Sequence, residues 1–492
     1  MMDARKPSLW RHRDFMKLWT AETISQLGSQ VTLLGLPLIA VLVLHASPFQ
    51  VGLLGTAEFL PFLVVGLPAG VWVDRMRRRP ILIAADLGRA LALATIPVAY
   101  ELDALTIVHL YAVAFATGVL TVFFDVSYQS YLPSLVDRDQ IVEGNSKLEI
   151  SRSGAQLAGP GLAGVLIDLV KAPVAIIADA ISFLGSAACI FAIRKQEPAP
   201  VIHAEGERPG MRREIAEGLR YVLRHPLLRP IAATTGSSNL FSSILLAIYV
   251  VYAVRILYLR PAVIGLIFAL GNTGFLLGAS LASRIAERIG VGRAIVLGIT
   301  LGIPGFVLIP LAPRSLAFPF LVTALVFTGF GSSVYNINQV SLRQVITPER
   351  MLGRMNATMR FLVWGTLPIG SLIGGALGSA IGLRPTLWIA AAGAFVPPVF
   401  VARSPVRPLR EIRDPARDGA IGPDGYGEGR NYDPREQEEN RMGDPTPGPL
   451  PTPEPQPPAP QPPIPQPEPP PTPPPIPQPE PPQPPVPQPP PV

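Results

Sequence analysis

Cysteine is almost absent from this chain of 492 residues. The one cysteine, Cys189, rules out an internal disulfide framework and a cysteine-based zinc site. It stands in an apolar run, where a free thiol serves as a small packing residue. Histidine is nearly as scarce. Five are present, at positions 12, 45, 109, 203 and 225, with no H-E-x-x-H and no metal-ligand spacing among them. No G-x-x-x-x-G-K-[ST] occurs, which argues against an ATP-driven pump within this chain. No metal, cofactor or enzymatic chemistry is expected. Charge is sparse too: 15% of residues are charged and 48% hydrophobic, where a soluble protein carries about 25% charged residues. Mean hydropathy is +0.35 even though a polar tail dilutes it. A soluble fold cannot bury that much apolar surface, so the solvent is a bilayer. The net charge of +6 is no nucleic-acid footprint, because the basic residues are scattered between apolar spans.

Runs of about twenty apolar residues cross a bilayer. They recur at 15–44, 51–73, 81–100, 106–131, 147–169, 173–194, 228–254, 262–284, 293–312, 316–342, 356–381 and 385–402. This predicts an all-α integral membrane protein with twelve transmembrane helices, the longer ones tilted or projecting into water. β-Barrel strands would be about ten residues long with period-two alternation, and that pattern is missing. The first run, Phe15 to Leu44, is too long for the apolar region of a signal peptide and has no A-x-A-like site after it, so it is expected to stay as the first span.

Lysine and arginine set the orientation. With the N-terminus in the cytoplasm, the segments 1–17, 74–80, 132–152, 194–229, 284–293 and 343–360 hold 27 of them. The opposite turns hold 5, Lys171, Arg255, Arg260, Arg314 and Arg384. Both termini are therefore expected in the cytoplasm, with the protein in the cell inner (plasma) membrane.

The longest internal connection is charged and divides twelve spans into six and six; its part from Arg212 to Leu223 has the pattern of an amphipathic surface helix. The halves also echo each other. Asn145, Gly159 and Gly164 recur as Asn356, Gly370 and Gly375, each 211 residues on. A duplicated six-helix unit is the pattern of a secondary transporter with a site at the interface. The expected organisation is a first bundle at 1–194, a cytoplasmic loop at 195–227, a second bundle at 228–403 and a disordered proline-rich tail at 404–492. Residues 445–492 contain 29 prolines, which deny the backbone its donors and leave polyproline II character. Such a tail is either a solvated extension or a ligand for a proline-recognising partner.

One loop stands out, Gly70-Val-Trp-Val-Asp74-Arg75-Met-Arg77-Arg78-Arg79-Pro80. Its arginines cannot sit in hydrocarbon, at about 3 kcal/mol each on insertion scales, so the chain leaves the membrane here. The pattern Gly70-x-x-x-Asp74-Arg75-x-x-Arg78-Arg79 resembles the loop signature of the major facilitator superfamily. Phe59-Leu-Pro-Phe-Leu, Gly66-Leu-Pro-Ala-Gly70, Asp86-Leu-Gly-Arg89 and Gly353-Arg354-Met-Asn356 are similar to its enterobactin-exporter and macrolide-efflux branch. The resemblance covers about residues 8–410. It implies two pseudo-symmetric six-helix bundles and a proton-coupled exporter of a drug, macrolide or siderophore-like small molecule. A metabolite facilitator or importer of the same fold is the alternative. In the family the loop aspartate faces the inner end of the eleventh span. Asp74, with Arg75, Arg78 and Arg79, is thus expected to form a cytoplasmic gate near Asn356, the arginines pairing with inner acids such as Asp137 or Glu143 or with anionic lipid. Gly159-Pro160-Gly161-Leu-Ala163-Gly164 resembles the glycine-proline motif of exporting members. Small residues there admit a close neighbour, and Pro160 bends the span; the resemblance implies that this bend closes the cytoplasmic side and biases the cycle towards export, which adds Gly159, Pro160 and Gly164 to the expected gate.

A carboxylate inside an apolar span is costly unless protonated, paired or wet, which suits it to proton exchange. Glu22, Glu58, Asp125 and Asp179 are the proton-coupling candidates. Asp125 is the one charge in the fourth span, where many relatives of this kind carry a buried arginine; Arg152 and Lys147 are its possible partners. The family lines its cavity with the first, fourth, seventh and tenth spans, which makes Gln26, Gln30, Asn239 and Asn336 the substrate-binding candidates.

Overall fold

The computed structural model describes residues 8–410 apart from 138–139, 196 and 198–210; within it, the side chains of residues 67, 71, 74, 211–215, 349 and 350 are not described. All of these residues belong to Met1–Gly427, one of the two units into which the chain divides, the other being Glu428–Val492.

The described residues form helices throughout. The first half holds α1 (Arg13–Leu38, continued by a π turn over Ile39–Val43), α2 (Pro48–Val64), α3 (Gly66–Arg75), α4 (Arg78–Glu101), α5 (Ile107–Leu135), α6 (Ile141–Val170) and α7 (Ala172–Phe191). A connecting helix follows, α8 (Met211–Arg224), over the segment with the amphipathic pattern. The second half holds α9 (Leu228–Arg255), α10 (Pro261–Ile289), α11 (Val291–Leu301), α12 (Ile303–Leu311), α13 (Ala317–Ile346), α14 (Glu349–Trp364), α15 (Thr366–Ala380), α16 (Leu383–Gly393) and α17 (Val396–Ala402). Eleven helical segments are long and apolar enough to cross a membrane, and α2 is a shorter apolar helix that α3 prolongs.

Where a span is broken, the residues explain it. Pro68 has no N–H to give the Val64 carbonyl, so the second span turns at Val65, whose own N–H still reaches the Pro61 carbonyl at 2.8 Å. The ninth span turns at Gly302, two residues before Pro304, and the eleventh at Gly365, three before Pro368. The packed chain also runs past the expected end at 403. Val406 is fully buried beside Val291, and the Gly292 N–H donates to the Leu409 carbonyl at 2.9 Å.

Within the first bundle α1 packs on α6 and α7, α4 on α5 and α7, and α2 on α5. In the second, α13 packs on α10, α11 and α12, and α9 on α15, α16 and α17. The bundles meet along two seams, α2 against α15 and α6 against α10. Lipid gives no hydrophobic drive for helices to associate, so close backbone approach between small residues carries the contact. A Cβ on Gly52 would stand 2.6 Å from the Gly375 Cα, and one on Gly164 would stand 2.9 Å from the Gly265 Cα. Gly164 and Gly375 are the pair related by the 211-residue offset, so the repeat in the sequence is a repeat in the seams.

The core is asymmetric along the bundle axis. At the end away from the Arg75–Arg79 loop, one apolar cluster joins both halves, with Leu38, Leu54, Ile248, Tyr252, Ile309 and Leu387 among its members. At the arginine-rich end there are two separate clusters, one around Phe15, Leu82 and Tyr131 and the other around Leu228, Ile295 and Met359.

Candidate substrate cavity and its charged cluster

Between the bundles lies a cavity of about 1180 Å³. Its lining runs from Leu33 and Thr117 at mid-depth to Asn145, Ser146 and Glu149 in the first turns of α6. Ser146 and Glu149 are exposed there, so the cavity opens at the arginine-rich end. The bundle-to-bundle hydrogen bonds described lie from mid-depth to the other end. Phe49 N–H donates to Ser379 Oγ at 2.8 Å, Ser371 Oγ to the Gly52 carbonyl at 2.9 Å and Arg255 Nη2 to the Ala46 carbonyl at 2.8 Å. Arg260 pairs with Asp168 at 2.6 Å.

The cavity collects all four carboxylates singled out from the sequence, Glu22, Glu58, Asp125 and Asp179, together with Gln26 and Gln30. Gln26 Nε2 donates to Glu22 Oε1 at 2.7 Å, one helical turn back. Asp179 accepts from Thr32 Oγ1 and, at 2.9 Å, from Ser182 Oγ. Asn239 and Asn336 are placed elsewhere. Asn239 Nδ2 donates to the Val363 carbonyl at 3.1 Å, and Asn336 Oδ1 accepts from Gln339 Nε2 at 2.8 Å. Neither is among the lining residues, because the second bundle contributes only Arg360 and Trp364 to the wall. Lys147 is not beside Asp125; it pairs with Glu143 at 3.3 Å and sits 4.0 Å above the Trp10 ring. Arg152 does share the cavity with Asp125.

The residue that sequence reasoning passed over is Arg89, in the middle of α4 and only 4% exposed. Its guanidinium donates through Nη2 to Asp86 Oδ1 at 2.5 Å. Phe124 and Phe183 sandwich it, with ring centroids 4.3 and 4.1 Å from its central carbon. Asp86 has no exposure at all. Arg89 also acts electrostatically on Glu22, Asp125 and Asp179. The buried arginine that the fourth span lacks is therefore supplied by the third, against the phenylalanine next to Asp125. The signal was an aspartate and an arginine three apart inside one apolar span, which puts both on one helix face.

Two of the loop arginines, Arg78 and Arg79, bind the end of α7 and the segment just after it. Glu197 Oε2 accepts the backbone N–H groups of Arg78 and Arg79 at 2.8 and 3.2 Å, and Glu197 Oε1 takes Arg78 Nη1 at 3.1 Å, which caps the start of α4. Arg79 donates to the Ile190 and Phe191 carbonyls at the end of α7. The acid beside Arg78 is thus Glu197, while Glu143, expected as a partner, is taken by Ser8, the Leu9 N–H and Lys147. Arg75 is exposed, and a Cβ on Gly70 would meet nothing within 4 Å. The Asp74 side chain lies outside the described residues. In the glycine-proline motif, Gly159 faces the Gln30 side chain of α1, and Pro160 and Gly164 face Gly265 of α10.

Two six-helix bundles enclosing a carboxylate-lined cavity at their interface make a transporter of the major facilitator fold. A family model described as transmembrane secretion effector matches residues 7–420, and the chain belongs to that family of membrane transporters. It is a multi-pass membrane protein and not an enzyme. It is 28% identical over 376 residues to the multidrug efflux pump Tap of Mycolicibacterium fortuitum, covering 73% of this chain and 88% of that one. It is 24% identical over 391 residues to the enterobactin exporter EntS of Salmonella choleraesuis, covering 76% and 87%. Among solved structures, the nucleoside transporter NupG superposes with a TM-score of 0.63 at 11% identity, over 79% of this chain and 98% of that one. A bacterial homologue of the iron transporter ferroportin gives 0.62 at 16%, over 81% and 99%.

Proposed function

We propose that this protein is a proton-coupled exporter of a drug, macrolide or siderophore-like small molecule, working by alternating access in the inner membrane with both termini in the cytoplasm. One observation carries the reading: the cavity between the bundles is open at the arginine-rich end and closed at the other by glycine-to-glycine backbone contact. The relatives Tap, a multidrug efflux pump, and EntS, an enterobactin exporter, support the direction. The bundles are 1–194 and 228–410, the second extended past 403 by the packing of Val406 and Leu409, linked by 195–227, with the proline-rich tail beyond them in the cytoplasm and available to a proline-recognising partner.

In this reading Glu22, Asp125 and Asp179 carry protons, and Arg89 positions them by opposing their charge. Gln26 and Gln30 contact cargo. Asp74, Arg75, Arg78 and Arg79 with Gly70 form the cytoplasmic gate, in which Asp74 meets the positive N-terminal end of α14 once that side shuts. Pro160 and Gly164, which pack on Gly265 of α10 away from the loop, act in this state on the side opposite the cytoplasmic one that the resemblance implies, and Gly159 seats Gln30 within the first bundle. The test is proton release from everted vesicles on adding a compound to which deletion sensitises cells. Ligand-dependent proton movement is expected. Counterflow that needs no pH gradient, with no proton release, replaces this reading by a metabolite facilitator or importer.

A further inference from the structure

Pro160 has no N–H to give the Gln156 carbonyl, four residues back, so a backbone acceptor in the middle of α6 is left open. Lipid offers such a group no water, and protein has to meet it. Asn272 of α10 does so: its Nδ2 donates to the Gln156 carbonyl at 2.5 Å. This bond crosses from one bundle to the other. It is the last in a row of contacts that run antiparallel along the seam. Arg260 pairs with Asp168 at 2.6 Å at the end away from the loop. A Cβ on Gly164 would stand 2.9 Å from the Gly265 Cα, and one on Gly161 would stand 3.4 Å from the Ala269 Cβ. Asn272 and Gln156 come next. Beyond them, toward the arginine-rich end, Ser153 and Arg152 line the cavity, and a Cβ on Gly154 would meet nothing within 4 Å. The bond therefore stands where the closed part of the seam ends. The α2–α15 bonds differ. There Ser371 Oγ and Thr56 Oγ1 donate to the Gly52 and Pro368 carbonyls at 2.9 and 3.1 Å, but the residues four further on, Thr56 and Leu372, have N–H groups of their own.

We propose that Asn272 is a positioning residue of the transport cycle: it captures the carbonyl that Pro160 leaves open, and so fixes the register in which α6 and α10 close the end away from the loop. Proline and asparagine then form one device, with one residue in each bundle. The proline supplies more than a bend, because it exposes an acceptor that the other bundle satisfies. Parting the seam would pull α10 off α6 and strand both the carbonyl and the amide, which disfavours the opened seam and favours the state whose cavity faces the arginine-rich end. This rests on the alternating-access reading only in taking the α6–α10 seam as one that opens.

Gly161→Cys with Ala269→Cys reports the seam, because Cβ atoms 3.4 Å apart are within reach of a disulfide. In full-length protein in lipid nanodiscs, with Cys189→Ser, this pair should crosslink readily under mild oxidant. Asn272→Leu, of similar size and without a donor, should lower the crosslinking rate about threefold or more, the worth of one interhelical hydrogen bond in a bilayer. Asn272→Gln, which keeps the donor, should recover part of the rate. Thr273→Val should change nothing, since that hydroxyl bonds the Leu270 carbonyl of its own helix. The deciding background is Pro160→Ala. It returns an N–H to the Gln156 carbonyl, so Asn272→Leu should matter much less there, in crosslinking and in melting temperature alike. A cysteine pair that fails to crosslink with Asn272 present, an Asn272→Leu protein that crosslinks like its parent, or an equal effect of Asn272→Leu in both backgrounds overturns the proposal. Should Asn272→Leu alone yield no folded protein, Pro160→Ala is expected to rescue it, and no rescue overturns the proposal as well. Neither readout measures transport. Failure here with ligand-dependent proton release intact removes the tie and leaves export standing, and an intact coupling without proton release does the reverse.

Discussion

Replacing Arg89 by methionine keeps much of the side chain's length and its contact with two rings while removing the charge. In the wild type, one charge-assisted hydrogen bond to Asp86 at 2.5 Å and two ring faces hold the guanidinium in a span. Removing one partner of a buried pair costs about 3–5 kcal/mol, because the other charge is left stranded, and Asp86 is entirely buried. Loss of two cation–π contacts adds about 0.5–2 kcal/mol each, offset in part by about 0.3–1.5 kcal/mol for sulfur on an aromatic ring. The net is about 4 kcal/mol. With an unfolding entropy of roughly 2 cal/mol/K per residue over the described residues, that lowers the apparent melting temperature by on the order of 5 °C. The double variant Asp86→Asn/Arg89→Met no longer strands a charge and should recover about half of the loss. Melting curves of the purified single and double variants in one detergent provide the measurement. An Arg89→Met protein that melts with the wild type, or a double variant that loses at least the sum of the two singles, refutes the account of Arg89 as a buried, paired cation.

Leucine at Gly164 or Gly375 should force the α6–α10 or α2–α15 seam apart, since a Cβ alone would stand 2.6 Å from the Pro261 carbonyl oxygen in the first case and 2.9 Å from the Pro48 carbonyl oxygen in the second. Labelling of a cysteine placed at Ser379, in a Cys189→Ser background, should rise several-fold from the side opposite the loop; unchanged labelling sinks the seam argument. His225 accepts the Leu227 and Leu228 N–H groups on Nδ1 at 3.2 and 3.4 Å, and burial holds its imidazole below the usual range. Its contribution is fully present above about pH 6.5, the ordinary histidine value, and is lost as pH falls through the lower folded value. The melting temperature should therefore decline on acidification less in His225→Gln than in wild type, and equal slopes would exclude the cap. Asp74→Asn should slow transport about tenfold or more while ligand binding stays within about twofold; lost binding with intact turnover contradicts the gate.

Which features were legible in the sequence follows from how local their causes are. Apolar runs and the Arg75–Arg79 break depend on composition within twenty residues, so the spans and their boundaries could be read directly. The 211-residue echo was legible as spacing, and the structure turns it into chemistry: Gly164 and Gly375 each sit in a seam between bundles. Breaks inside spans were readable only in retrospect, from Pro68, Pro304 and Pro368 just beyond each turn. Arg89 was hidden for a different reason. The Asp86–Arg89 spacing in α4 was a readable sign of the pair, but the two rings that house the guanidinium come from α5 and α7, and nothing within α4 points to them. Asn239 and Asn336 misled in the opposite sense. Polar residues in a span are as readily used to bond protein as to face a ligand: Asn239 bonds the neighbouring α14, and Asn336 bonds Gln339 one turn on in its own helix.

The glycines also bear on how the proposed cycle would run. α2 and α15 touch through Gly52 and Gly375, and α6 and α10 through Gly164 and Gly265, all toward the closed end. The arginine-rich ends of the same spans carry Gly66 and Gly70 on α3, Gly154 on α6 and Gly353 on α14. A Cβ on any of these four would meet nothing within 4 Å. The small residues that make one end tight thus have counterparts that are free at the other. Rocking the bundles about the cavity would part the first set and bring the second into reach, with Asp74 beside them at the end of α3. The apolar cluster shared by both halves at the closed end would then have to split, and the two clusters at the arginine-rich end would approach. The second and eleventh spans, with Gly66 and Gly70 on one and Gly353 on the other, would thus exchange one small-residue contact for another. The balance between the two states would then rest on the charges in the cavity, the acids around Arg89 foremost.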